Sequence, residues 1–331
     1  MEYEEFASDI AVHRTLTTAS AEENQELMQR FGVSQRVRQL GKGPFRSDLA
    51  VQITEQAELY SDRFNKACSI LLEPPAGSVA SLFPRTAGGS FLASGHDVAN
   101  AGLVILPNGS GADFVIPDLS GSEGIAVPES RFVEMTRVLC PTLHTDWPER
   151  MAVIQGDSAQ LERLRQAVLD LIVQRKDPHP GQVSNLIAET IAWIGRYSER
   201  SSPERFRFNG SRRRIAKLAQ QYIEDNYRAA VRLEDLCRVS GVGARQLQRI
   251  FRGHFGITIT EYLKTVRLHA AHRELSASPP SPGAVTKIAL DHGFAHLGRF
   301  SIEFRERFGE SPKETLASRV GGDWRFESGN H

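Results

Sequence analysis

The sequence predicts an α+β chain of two domains, a β-rich half followed by an all-helical half. Three observations carry this. At 331 residues the chain exceeds one ordinary hydrophobic core. Its apolar pattern changes from short β-type runs before about residue 150 to helical spacing after it. Finally, Phe-Arg-x-x-Phe-Gly occurs twice near the end, as Phe251–Gly256 and Phe304–Gly309, 53 residues apart, which points to a duplicated helical unit.

Composition narrows the class. Forty per cent hydrophobic and 24% charged residues describe a globular chain, and no apolar run is long enough to span a bilayer. The start, Met1–Glu5, is acidic where a secretory leader would be basic. Cys68, Cys140 and Cys237 are odd in number and far apart, which predicts reduced thiols in a cytoplasmic protein with neither a disulfide framework nor zinc spacing. The net charge of zero hides an asymmetry. Ser211–Val320 holds 19 Lys and Arg against 11 Asp and Glu, whereas the rest of the chain holds 21 against 29. A basic lobe beside an acidic one suggests that only the C-terminal part meets a polyanion.

The first element is a helix near Ala21–Phe31. Runs such as Leu49–Ile53, Ala67–Leu72 and Leu103–Leu106 then alternate with turns at Pro74–Gly77, Ala87–Ser90 and Pro107–Gly111. Short strands at this spacing predict a β-barrel or sandwich of jelly-roll type. Leu161, Leu164, Val168, Leu171 and Ile172 mark one amphipathic helix, and Val183, Leu186, Ile187, Ile191 and Ile194 mark a second. Pro178–Gly181 separates them, which predicts an antiparallel hairpin that either covers the barrel or forms a dimer surface. The polar stretch Ser198–Gly210 reads as a linker. The expected domains are therefore 1–200, then 212–320 after a linker over 201–211, with 321–331 as a tail.

Seven helices follow the linker: Arg212–Asn226, Leu233–Ser240, Ala244–His254, a long one from Ile259 to about Leu275, Thr286–Asp291, Leu297–Arg307, and one starting at Pro312. Thr258-x-x-Glu261 and Ser311-x-x-Glu314 are capping boxes for the long helix and the last one. The second and third helices, around Gly241, and the fifth and sixth, around Gly293, make two helix-turn-helix units. Their apolar positions match as Leu236/Ile288, Cys237/Ala289, Leu247/Phe300 and Phe251/Phe304, all read as core. Arg245, Gln246, Gln248 and Arg249 are left outward on the first unit's second helix. His296, Leu297, Arg299, Ser301 and Ile302 are left on the second unit's. Arg and Gln can bond bidentately to guanine and adenine, so these types suit base reading, with phosphate contact as the alternative for any single Arg. The long middle helix would hold the two reading helices about one DNA turn, ~34 Å, apart.

These residues resemble a known family. Ile288–Phe300, continued by Phe304–Pro312, is similar to the DNA-binding domain of AraC/XylS transcription regulators, and His296–Phe300 with Lys313–Leu316 resembles the XylS-like branch. The resemblance implies that Arg245, Gln248 and Arg249 reach bases, and that Leu297, Arg299, Ser301 and Ile302 line a second groove. It also implies double-stranded DNA, RNA polymerase and a small-molecule effector as partners of a homodimeric activator. The sequence departs from the family at Ile302, where some members carry Arg, and at Gly243 and Arg232, where capping residues are usual. The connection Ser276–Ala284 is a few residues longer. Gly95–Gly109 and Ile125–Phe132 resemble the cupin-like sensor half of the same branch.

No cofactor, metal or catalytic site is expected. His96, His144 and His179 are scattered, and no Ser/His/Asp, Cys/His or paired-carboxylate arrangement rises above chance. The basic run holding Arg36, Arg38, Lys42 and Arg46 has two readings: a solvated loop or contact with the DNA-binding half, and a site for an anionic effector such as a carboxylate or nucleotide messenger. Two other function classes fit the sequence. One is a DNA-repair methyl acceptor carrying the same module; the other is a small-ligand-binding protein whose helical domain contacts protein.

Overall fold

The computed structural model describes residues 15–98, 102–141, 151–174, 178–198 and 210–318. The linker expected over 201–211 falls almost wholly outside these, as do His144 and the tail. Contacts divide the chain into two units. One runs to Val37 and resumes over Phe45–Gly210; the other comprises Arg38–Pro44 together with the residues from Ser211 onward. The sequence alone assigned Arg38–Pro44 to the first domain; its contacts group it with the second.

In the first unit, helix α1 (Ala21–Arg30) starts where the Ser20 side chain accepts from Glu23 N and the Glu23 carboxylate accepts from Ala19 N, which satisfies two N-terminal donors. Twelve strands are described, of which β3, β5 and β9 fall on the three predicted runs: β1 (Thr15–Thr18), β2 (Ser34–Gln39), β3 (Ser47–Ile53), β4 (Glu58–Phe64), β5 (Cys68–Glu73), β6 (Ser78–Thr86), β7 (Leu92–Ala93), β8 (His96–Asp97), β9 (Gly102–Leu106), β10 (Ala112–Ile116), β11 (Ser120–Pro128) and β12 (Ala152–Gln155). They form a seven-stranded sheet, ordered β1-β3-β4-β11-β6-β9-β12, and a five-stranded sheet, ordered β2-β5-β10-β7-β8. A closed barrel was one expectation, and none is formed among the described residues: the larger sheet ends at β1 and β12 and the smaller at β2 and β8. Alternation along a strand decides which residues face inward. It does not decide whether two edge strands meet.

The larger sheet is buried on both faces. On β11, Ile125 and Val127 face the helices α2 (Glu129–Leu139), α3 (Ser158–Val173) and α4 (Pro180–Ser198), where they pack with Leu161, Val168, Ile187 and Trp193. Ala126, one residue out of phase, faces the other core, shared with Ile70, Ala93, Phe114 and Ile116 of the smaller sheet.

An ionic cluster lies beneath α3. Arg63 of β4 and Glu123 of β11, both without exposed side-chain surface, pair at 2.5 Å, and the other Glu123 oxygen meets Arg165 of α3 at 3.2 Å. Neighbouring Asp62 accepts from the Ser122 N–H and hydroxyl. Burial pushes its carboxyl up to about 6, against the pull of Arg63 and Ser122. A carboxyl raised above its ordinary 3.8 keeps its proton in the folded state between those values, so its contribution to stability is full below about 4 and falls as pH rises through about 6. Asp62→Asn keeps an acceptor for the Ser122 N–H. It is expected to remove this slope, seen as a flatter difference in urea midpoint between pH 4 and pH 7 against the parent.

The second unit is helical: α5 (Gly210–Asn226), α6 (Leu233–Ser240), α7 (Ala244–Phe255), α8 (Ile259–Ala277), α9 (Ala284–Asp291), α10 (Leu297–Phe308) and α11 (Pro312–Ala317). Both capping boxes form as the spacing predicts, Thr258 with Glu261 and Ser311 with Glu314. Two separate cores result. Ala219, Ile223, Leu236, Leu247, Phe251 and Tyr262 pack around α6 and α7. Leu268, Leu275, Ile288, Phe300, Phe304 and Leu316 pack around α9 and α10. The paired positions of the repeat are thus core in both copies, with Cys237 only partly buried.

Candidate nucleic-acid interface

The local sequence fixes how the two reading helices are presented. Gly241 ends α6 at φ 70° and Gly293 follows α9 at φ 78°, a left-handed conformation that costs a residue with a Cβ more than it costs glycine. The chain therefore turns sharply before α7 and α10. On α7, Leu247, Ile250 and Phe251 point inward at helical spacing, which leaves Arg245, Gln246, Gln248 and Arg249 exposed. Among the described residues none of these four has an intramolecular polar partner, so their donors and acceptors are open to solvent or to a ligand. Gly243 supplies no capping side chain to α7, so its first-turn N–H groups lack a side-chain acceptor at the cap.

The surface of α10 is different. His296, Leu297, Arg299, Ser301 and Ile302 are all exposed around buried Phe300 and Phe304, but Arg299 Nε donates to Glu303 Oε1 at 2.9 Å and the Ser301 hydroxyl donates to the Leu297 carbonyl. Ile302 is 63% exposed, an apolar side chain where a polar reader would be expected. Glu303 also receives Lys264 of α8 at 3.4 Å, which ties the second reading helix to the long one.

Arg267 was not singled out by sequence reasoning. From α8 its guanidinium donates to the carbonyls of Tyr227 (2.7 Å), Ala229 (2.9 Å) and Gly293 (3.3 Å), joining the loop that precedes α6 to the turn of the second helix-turn-helix. Burial holds its pKa below the ordinary arginine value. Beside it, Tyr227 stacks on His292 at 5.8 Å, and His292 Nε2 lies 2.8 Å from Glu274. The partners are carbonyls, a carboxylate and a ring 18 to 65 residues away, so no spacing in the sequence betrays them.

The basic run near residue 40 does not present four free cations. Arg38 is held by Glu224 at 2.8 Å, Lys42 by Glu306 at 2.9 Å and Arg46 by Asp48 at 3.3 Å, while exposed Arg36 has an interaction of its own. Arg38 and Lys42 belong to the second unit, Arg36 and Arg46 to the first. Cys68 is buried and its thiol donates to the Lys66 carbonyl. No group of three or more His, Cys, Asp or Glu among the described residues could hold a metal ion, and no described helix is long and apolar enough to cross a membrane.

Paired helix-turn-helix units with exposed Arg and Gln on the second helix of the first define a DNA-binding domain. A helix-turn-helix domain family matches residues 236–318. Through this domain the chain belongs to the AraC/XylS family. The XylDLEGF operon transcriptional activator 2 of Pseudomonas putida is 36% identical over 97 residues, 29% of this chain and 62% of that protein. The probable thc operon regulatory protein of Rhodococcus erythropolis is 36% identical over 102 residues, 31% of each. A crystal structure of a probable AraC family transcriptional regulator from Rhodopseudomonas palustris is 35% identical, with a TM-score of 0.29 over 31% of this chain and 94% of that one. The matched region thus spans under two thirds of both relatives, and the residues matched by the domain family lie in the second unit.

Proposed function

We propose that this chain is a ligand-responsive, sequence-specific regulator of transcription, an activator that reads two successive major grooves with α7 and α10. The observation that carries the reading is the exposed set Arg245, Gln246, Gln248 and Arg249, standing unpartnered over a buried core. The similar proteins named as operon activators support the direction of control. DNA, and RNA polymerase beside it, are the partners this activity needs.

The first unit is, on this reading, the effector-sensing and dimerising half, cupin-like in its strands but opened into two sheets. A small cavity of about 200 Å³ in this half is lined by Phe83, Arg85, Thr86, Leu161, Glu162 and Arg165. An anionic effector at the basic run would instead have to displace Glu224 from Arg38 and Asp48 from Arg46. Effector binding acts by shifting the population toward the DNA-competent arrangement.

The test is DNA affinity at fixed salt, on a duplex selected from a random library by the parent protein. Arg245→Ala and Arg249→Ala are each expected to lose about 1–3 kcal/mol of binding and to relax base preference at one position. Arg299→Ala should lose less, because Arg299 already has a partner in Glu303. Unchanged affinity and unchanged preference in the first two variants would remove the assignment.

A further inference from the structure

The segment Arg38–Pro44, made of the last two residues of β2 and the turn that leads toward β3, groups with the helices of the second unit. We infer that it is a strap that positions the two reading helices relative to each other, with Gln39 and Arg38 as its positioning residues. The inference rests on the reading of α7 and α10 as DNA-reading helices.

The contacts fall into two sets. At one end Arg38 Nη1 lies 2.8 Å from both Glu224 of α5 and the Tyr262 hydroxyl of α8, with the guanidinium 5.7 Å from the Tyr262 ring centroid. Tyr262 belongs to the core of the first helix-turn-helix, and its hydroxyl donates to Glu224 and accepts from Gln220. At the other end the strap meets the last turn of α10. Four C-terminal carbonyls of any helix lack an intrahelical donor. Here Gly43 N donates to the Glu306 carbonyl at 2.8 Å and Gln39 Nε2 donates to the Arg307 carbonyl at 2.7 Å. The second reading helix is thus capped by residues more than 260 positions upstream.

The interaction is reciprocal. Arg307 Nη1 donates to the carbonyls of Gln39 and Leu40, and His269 Nε2 of α8 lies 3.2 Å from the Gln39 carbonyl. Pro44 packs so closely on Gly309 that a Cβ there would sit 2.7 Å from its ring. Gln39 is 1% exposed. Exposed Lys42 adds an ion pair to Glu306, which solvent makes weak. The strap therefore bridges the first core, the long helix and the C-terminal end of α10. Two reading helices on separate cores need a fixed separation to dock in successive grooves.

The test uses the full chain. Sites are selected from random 40-base-pair duplexes with the parent, with Gln39→Ala, and with Lys42→Glu, an exposed change that sets a carboxylate beside Glu306 without disturbing the core. Affinities are then compared on a duplex with both half-sites and on one with the α7 half-site alone. Gln39→Ala is expected to keep the α7 half-site, to relax the spacing to the second, and to lower the affinity ratio of the two duplexes about five- to tenfold. Lys42→Glu should relax the spacing in the same sense by a smaller factor. An unchanged ratio and spacing in both variants, or equal weakening on both duplexes, overturns the strap. If Gln39→Ala fails to fold, Lys42→Glu alone decides. Should the parent select no bipartite sequence, the reading of α7 and α10 fails first, a result distinct from either.

Discussion

Glu123→Ala is expected to destabilise the first unit by about 3–5 kcal/mol, the cost of leaving a buried partner charge without its counter-ion. Arg63 pairs with Glu123 in the middle of the larger sheet, where neither side chain reaches water, and Arg165 approaches the same carboxylate from α3. Removing the carboxylate leaves two guanidinium groups facing each other across its place. Arg165 keeps the pair it already makes with half-exposed Glu162, but the Arg63 side chain has no exposed surface. Glu123→Gln should cost less, because an amide oxygen can still accept from Arg63 though without the charge. Urea denaturation followed by circular dichroism is the measurement, with the midpoint for alanine well below that for glutamine. Equal midpoints for the parent and both variants would mean the cluster adds nothing. The helix-turn-helix region has cores of its own, so its amide protection should be the last to change in Glu123→Ala.

That cluster also marks the limit of what the sequence discloses. Charged residues are mostly at the surface, and nothing around Arg63, Glu123 or Arg165 sets them apart from the other charges in an acidic half. Their meeting depends on strand order, in which β11 lies between β4 and β6, a long-range pairing that no local pattern encodes. The helical half was legible for the opposite reason. Its information is local: 3.6-residue spacing, two capping boxes, and turn glycines at matched offsets. The core assignments for Leu236, Leu247, Phe251, Ile288, Ala289, Phe300 and Phe304 follow from spacing alone, and all are buried. So does the exposure of the side chains on α7 and α10. Which bases they meet is a property of the complex with DNA and has no trace in the periodicity. Arg38 stands between these cases. Sequence reasoning could offer only alternatives for it, since its carboxylate partner lies 186 residues away.

Phe304→Ala is the second large effect, and it separates the two halves of the repeat. Phe304 has no exposed surface and packs edge-on or tilted against Phe300 (5.5 Å) and Phe308 (4.7 Å) and stacked on His272 (5.7 Å). Truncating a buried Phe costs about 3–5 kcal/mol, transfer and cavity together. The core it sits in is small, built from short α9 and α11 with parts of α8 and α10, so a loss of that size is expected to open the second helix-turn-helix locally rather than the whole domain. The first core keeps Phe251, Phe255 and Tyr262 in mutual contact and does not share Phe304. Hydrogen exchange should therefore rise over Ala284–Ala317 and stay slow over Leu233–Phe255. Binding to a duplex with both half-sites should fall to the level of the α7 half-site alone, with a shallower dependence on salt as phosphate contacts are lost. Phe251→Ala should show the mirror image, opening the first helix-turn-helix and its Arg245 to Arg249 surface. If either variant abolished protection in both helix-turn-helix copies together, the two copies of the repeat would be one cooperative core and not two.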